Sequence, residues 1–587
     1  MTTAENYQAV RAGSSAIACH TDKWHLPEPF AASLFSDEQM ASLMVEGHTR
    51  FESIVIRSIR EALSHTALDV TSPRVVLIIS TTKGNIELLE VDTSAPDSST
   101  PSPSPSLSGA SSQDIYPSCA AQRIAAALGI VTEPVVVCNA CISGVAAQIL
   151  AQRMLDAGLY DYAIVAGGEI QSKFVVSGFQ AFRAVTDEPC RPFDIERLGL
   201  NLGEGAATMI MQSSRLLSPA NQADAGMPAF HTVKGAIRND AYHLSAPHPQ
   251  GEGYMQALKA VLPATLDDIA TLGVHGTATM YNDQMESKAI QRAGLSNIPL
   301  TSLKGYYGHT MGAAGLIETI ITMCATADGI VLPARGFEEI GVSGKVDISA
   351  SQRATDKHSL IKMLSGFGGC NGAVSYTPSQ PEADSSCCAT PAATPAPAGL
   401  KASHTVRITP EGAWIDGQQL PTTASGKALL KEIYKTHVND YPKFYKMDTL
   451  TRLTLVATEL LIKAEGSPRL AEGDSDDSRA VILFNRSSSI VADKKYWQTV
   501  KDKDDYFPSP ATFLYTLPNL TTGEVAIRNH YNGETSFYIL PEKNQRMMDD
   551  IVSVSFMDTA TQSVIAGWMD CSDDDTFEAE VSIISRA

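Results

Sequence analysis

No run of apolar residues in this 587-residue chain approaches the roughly 18 needed to cross a bilayer. The opening residues, MTTAENYQAVRAG, have neither the basic stretch nor the apolar core of an export signal. These absences predict a cytoplasmic protein with no membrane partner. Basic residues are also in deficit: 45 Lys and Arg against 65 Asp and Glu leave a net charge of -20. That balance repels nucleic acid and anionic lipid, and excludes a general binder of either. Cysteine is sparse, with ten in the chain and no regular spacing, which excludes a disulfide scaffold. Cys138 and Cys141 form one CxxC, but no second pair and no HxxxH follows it. A zinc site or thiol exchange is therefore the lesser reading, and no metal is expected.

With 44% hydrophobic residues the chain can bury several cores. Two stretches cannot belong to any of them. Residues 92–112 and 378–399 are dominated by Pro, Ser, Ala and Thr, and read as a surface insertion and an interdomain linker. Before the linker, short β-branched runs alternate with helical patterns: VVLIIS (75–80), PVVVCNA (134–140), YAIVAGG (162–168), AATMIMQ (206–212) and TLGVHG (271–276). Continuous apolar strands separated by helices indicate a sheet covered on both faces, so the fold class is α/β. After the linker the order repeats, with a helix pattern at 446–462, AVILFNRSS (480–488) and SVIAGWMDC (563–571). An internal duplication explains this best.

Four segments carry chemistry. In CNACISG, Cys141 lies where a buried strand turns into a helix, whose N-terminal N–H groups and dipole favour a thiolate. The bland reading is a small buried hydrophobe; the small residues around it argue instead for close substrate approach. In HGTATMYND, His275 emerges at a strand end, and Asn282, Asp283 and Glu286 follow at a range suited to capping the next helix. In KGYYGHTMGAAG, His309 occupies a second small-residue turn, with Lys304 before it and Glu318 after it as a buried pair that tunes the ring. Both histidines compete with an ordinary structural reading. In SGFGGCNGAV (365–374), closely spaced glycines interrupted by Phe367 suggest a backbone N–H that completes an oxyanion hole with that of Cys141.

These motifs, with CRPFDIERLGLNLGEGAA (190–207), occur in the order found in the β-ketoacyl-acyl carrier protein synthases, condensing enzymes of the thiolase superfamily, which residues 1–377 resemble. The resemblance implies a layered αβαβα fold divided into an N-terminal half (1–204) and a C-terminal half (205–377). It implies Cys141 as acyl-accepting nucleophile, His275 and His309 as hydrogen-bond donors to the malonyl thioester, Lys304 and Glu318 as their support, and Phe367 as a gate. Decarboxylative Claisen condensation follows, in fatty-acid, polyketide or aryl-polyene synthesis. No cofactor is implied, because substrates arrive on the phosphopantetheine of an acyl carrier protein. Arg57, Arg60 and Arg153 are candidate docking residues for that carrier.

Two departures bear on structure. Ala278 replaces the second glycine of the HGTGT pattern, which stiffens the turn, and the family's first strand is missing, so that another segment must supply it if Met1 is the true start. Residues 378–404 form the linker, and 405–587 resemble a further N-terminal half without nucleophile, since Pro541 and Glu542 stand near the position of the cysteine. That copy is expected to pack on the catalytic part or on another chain, shaping the acyl tunnel or replacing a dimer contact. Otherwise the resemblance implies a homodimer or a heterodimer with another synthase-like chain. Two other readings remain: a thiolase on coenzyme A esters, with Cys370 as its second cysteine, and a non-catalytic chain-length-factor-like partner.

Overall fold

The computed structural model describes residues 2–90, 113–216, 229–379, 399–466, 470–471 and 473–586. The insertion at 92–112 and most of the linker lie outside the described residues.

Valine, isoleucine and leucine runs buried on both faces must form interior strands, and they do. VVLIIS is the strand Val75–Ser80, with every residue buried. It runs parallel to Val135–Val137 on one side and Tyr162–Glu169 on the other. Gly205–Gln212 then closes antiparallel on Tyr162–Glu169. The trailing part repeats this arrangement. Arg479–Asn485 runs parallel to Thr535–Ile539 and Ser563–Asp573, and Thr576–Arg586 closes antiparallel on the latter. Antiparallel pairing of Thr535–Ile539 with Val135–Val137, through Tyr538↔Val137 and Ile539↔Val136, makes one eleven-stranded sheet whose strand order mirrors about the seam.

A second sheet has five strands in the order Leu300–Thr301, Ile269–Gly273, Ser359–Gly366, Cys370–Pro378 and Phe230–Asn239. Helices Ser143–Asp156 and Ala314–Ala327 fill the space between the sheets. They approach so closely that a Cβ on Gly144 would lie 2.9 Å from the Gly315 Cα. Arg50–Leu63 and Pro117–Leu128 cover the outer face of the large sheet. Glu252–Ala260 and Met280–Arg292 cover that of the small sheet, completing the αβαβα layering. No helix among the described residues is long and apolar enough to cross a membrane.

Several boundaries move. Gly205–Gln212 pairs within the first sheet, so the first half extends past 204 and the second begins with Phe230–Asn239. The trailing part begins at Leu400, because Leu400–Thr409 pairs with Thr576–Arg586, and residues 400–404 are strand rather than linker. A strand beside the antiparallel closing strand is present in the small sheet and in the trailing part. At the equivalent edge of Gly205–Gln212, none is paired among the described residues.

The trailing part packs on the catalytic part, and both principal apolar cores contain residues of each. Buried ion pairs join them: Arg153 to Glu534 at 2.7 Å, Arg238 to Asp558 at 2.6 Å, and Lys83 to Asp493 at 2.7 Å. Arg153 is thus not available for docking a carrier. A chain ending at residue 380 would leave these cations unpaired and uncover both cores. We expect it to be aggregated in gel filtration; a soluble, monodisperse product would contradict this packing role.

Candidate active site

Cys141 lies in a single tight turn, Ala140–Ile142, between Val135–Val137 and the helix Ser143–Asp156. Ala140 takes a left-handed φ of 48°, which turns the chain sharply at this point. The Asn139 side chain anchors the turn to the trailing part, with its Oδ1 accepting from the Phe537 N–H at 2.7 Å. Burial pushes the Cys141 thiol up to about 12, against the backbone N–H groups of Cys141 and Phe367, which favour the thiolate. The resting group is therefore a thiol beside two donors suited to an oxyanion.

His275 follows the strand Ile269–Gly273. Its turn is held from the next helix by two buried carboxylates that reach back to it. Glu286 accepts from the N–H of His275 at 2.8 Å and of Gly276 at 2.6 Å, while Asp283 accepts from Thr277 at 3.0 Å and Ala278 at 3.1 Å. They do not cap the helix: its N-cap, Thr279, has no side-chain cap bond. Asn282 instead donates to Glu286 at 2.8 Å. Burial, with Asp283 nearby, raises Glu286 to about 7.

Ala278 has φ 61°, so the replacement of glycine strains the turn as well as stiffening it. A left-handed alanine costs about 1–2 kcal/mol, whereas the freer unfolded chain of a glycine costs about 0.4–1 kcal/mol. Ala278→Gly should therefore stabilise the protein by about 0.5–1 kcal/mol in urea unfolding; a loss of stability would count against the strain.

His309 follows Gly308, and its backbone is fixed by the glycine-rich 190–207 segment: its N–H donates to Asn201 O at 2.7 Å and its carbonyl accepts from Gly203 at 3.1 Å. The Met311 N–H donates to His309 Nδ1 at 3.2 Å. Nδ1 is thus the acceptor and the ring proton is on Nε2. His309 Nε2 and His275 Nδ1 are buried with no partner among the described residues. The rings lie 5.1 Å apart and nearly perpendicular at 82°. One ligand atom from each ring and the Cys141 Sγ all fall within 4.8 Å of one another.

Lys304 and Glu318 form a buried ion pair, and Lys362, absent from the sequence-derived set, is the third member at 2.5 Å from Glu318. Lys362 Nζ also donates to Val274 O at 3.1 Å, just before His275. A lone lysine inside the apolar strand SLIKMLSG was the signal that could have revealed it. Burial and the field of Lys304 and Lys362 hold both imidazoles well below their ordinary pKa, so they are neutral donors near pH 7. The same field opposes placing a metal cation among the three ligand atoms.

Phe367 packs against Phe179 and Phe182, with ring centroids 6.2 Å and 5.5 Å away. Its carbonyl accepts from Asn519 Nδ2 of the trailing part at 2.8 Å. Gly368 and Gly369 beside it have φ values of 91° and 74°, which explains the glycines. A cavity next to Cys141 is lined by Lys83, Phe179 and Phe367 of the catalytic part and by Phe513 and Leu517 of the trailing part.

The beta-ketoacyl synthase N-terminal domain matches residues 27–215 and the beta-ketoacyl synthase C-terminal domain matches residues 231–338, together about half of the chain. The chain belongs to the beta-ketoacyl synthase family. The limits of the two family domains agree with the sheet boundary found between Gln212 and Phe230. A 3-oxoacyl-[acyl-carrier-protein] synthase 2 of Mycobacterium leprae (strain TN) is 32% identical over 251 residues, covering 40% of this chain and 59% of the relative. The chain thus spans under two thirds of that synthase's length. Among solved structures, the PfaC keto synthase-chain length factor has a TM-score of 0.74 at 13% identity, covering all of this chain and 76% of the other. The ishigamide ketosynthase/chain length factor has a TM-score of 0.54 at 20% identity, covering 65% and 96%. The first of these likenesses covers the whole chain, so the shared fold extends through the trailing part.

Proposed function

We propose that the chain is a condensing enzyme that joins an acyl group on Cys141 to a malonyl unit carried by an acyl carrier protein, with loss of carbon dioxide. The observation that carries this reading is the pair of neutral, buried imidazoles with unpartnered ring nitrogens beside a thiol. Cys141 Sγ attacks the acyl thioester, and its proton leaves with the carrier thiol. The malonyl thioester then binds with its carbonyl oxygen between His275 and His309. The bond to the carboxylate breaks, carbon dioxide departs, and the electron pair moves into an enolate whose oxygen the rings hold. The enolate carbon attacks the acyl-Cys141 carbonyl, whose oxyanion meets the N–H groups of Cys141 and Phe367. Collapse expels the Cys141 thiolate, which takes up a proton, and leaves a β-ketoacyl thioester on the carrier.

Lys304, Lys362 and Glu318 position the imidazoles, and Phe367 serves as the gate. The carrier supplies phosphopantetheine, so the enzyme itself requires no cofactor. Cys370 supports this reading over a thiolase, because its Sγ donates to the carbonyls of Phe367 at 3.4 Å and Asn139 at 3.6 Å, a structural role. The trailing part replaces a dimer contact and has no nucleophile: Pro541, Glu542 and Lys543 follow its seam strand. One site per chain results. The test is release of carbon dioxide from malonyl-carrier protein together with a β-ketoacyl product from an acyl donor. If neither forms on the folded chain with matched carrier, the reading fails.

A further inference from the structure

The cavity beside Cys141 is bounded on one side by Lys83, whose buried ion pair lies behind the apolar lining as a floor that the reaction above does not use. Lys83 follows the strand Val75–Ser80, and its Nζ donates to Asp493 Oδ1 at 2.7 Å and to the Thr516 carbonyl. Both side chains of the pair are buried, at 3% and 6% exposure. Ser489 Oγ donates to Asp493 at 3.3 Å, and the ammonium lies 5.3 Å from the Phe174 ring centroid. Lys83 belongs to the catalytic part, whereas Asp493, Ser489 and Thr516 belong to the trailing part. The floor therefore exists only where the two parts meet.

The walls differ from the floor in what it takes to move them. They are rings: Phe179 packs on Phe367 at 6.2 Å and on Phe513 at 5.7 Å between centroids. The cavity encloses about 10 Å³, room for one water molecule. An acyl chain on Cys141 would enter by turning rings aside, which gives up only apolar contacts. Passing the floor is different, because separating Lys83 from Asp493 would leave a buried cation and a buried anion without partners.

We propose that the Lys83–Asp493 ion pair is the length stop of the acyl pocket and restricts Cys141 to short acyl groups. This rests on Cys141 being the acyl acceptor. The pair is a specificity determinant and takes no part in bond making.

The test compares acylation of the full chain by acetyl, hexanoyl and dodecanoyl N-acetylcysteamine thioesters, followed by intact mass. The native chain should take acetyl at least tenfold faster than dodecanoyl. Replacing the pair together, Lys83→Met with Asp493→Leu, should reduce that preference about tenfold, since an apolar pair of similar size avoids an unpaired charge. Equal acetyl and dodecanoyl rates in the native chain would overturn the proposal without need of any variant. A folded double variant that keeps the native preference would also overturn it. If no thioester acylates the native chain, or the adduct persists in Cys141→Ala, it is the acyl-acceptor reading that has failed.

Discussion

Cys141→Ala is expected to lower condensation by about four orders of magnitude or more while leaving release of carbon dioxide from malonyl-carrier protein intact. On the proposed reading the two activities would separate, because the groups assigned to them are held independently. His309 takes its ring orientation from the Met311 N–H, and His275 takes its turn from Glu286 and Asp283. None of these contacts passes through the Cys141 side chain. The thiol has no such substitute. With its pKa raised to about 12 by burial, it rests protonated, and the proposed capture of an acyl group would depend on the N–H groups that favour its anion as the proton leaves. Product formation and carbon dioxide release measured on the same preparation decide the matter. Product at the native rate would remove Cys141 from the reaction, and parallel loss of both activities would show that the histidines do not act alone in decarboxylation.

Much of this site was legible in the sequence because its constraints are local. A cysteine after a buried β-branched run and before a helix has few places to go, and the glycines at 368 and 369 report their own left-handed backbone. Where local pattern misled, tertiary packing had the larger effect. Arg153 reads as a surface charge, yet its helix, GVAAQILAQRML, is apolar around most of its circumference and lies between two sheets. Glu286 and Asp283 look like capping residues because they begin a helix, but the unpaired N–H groups of the preceding turn claim them. Residues before 205 and after it look separable, since nothing in LNLGEGAAT marks the return of the chain to the first sheet. Least legible were Lys83 with Asp493 and Phe367 with Asn519, whose partners are distant in sequence and meet only because the trailing part docks at the seam.

The second large effect falls on stability. Glu318→Leu is expected to lower the unfolding free energy by about 3–5 kcal/mol, because it leaves the ammonium groups of Lys304 and Lys362 buried without their shared counter-ion. In the native chain burial opposes the Glu318 charge, but the two lysines hold its carboxyl below the ordinary carboxylate range. Burial already lowers Lys362 even with Glu318 present. Without the carboxylate the folded-state pKa of at least one lysine must fall further below its unfolded value. Between those two values the unfolded chain binds more protons than the folded one, so stability rises with pH. The variant should therefore regain stability relative to the native chain as urea unfolding is followed from pH 7 towards pH 10. Simple loss of packing would give a deficit independent of pH. Replacing the triad together, Lys304→Met, Lys362→Met and Glu318→Leu, should recover most of the folding energy, as apolar substitutes for buried ion clusters do. It should not recover decarboxylation, because the field of the lysines at His275 and His309 would be gone. A triple variant that folds and decarboxylates at the native rate would reduce the triad to packing.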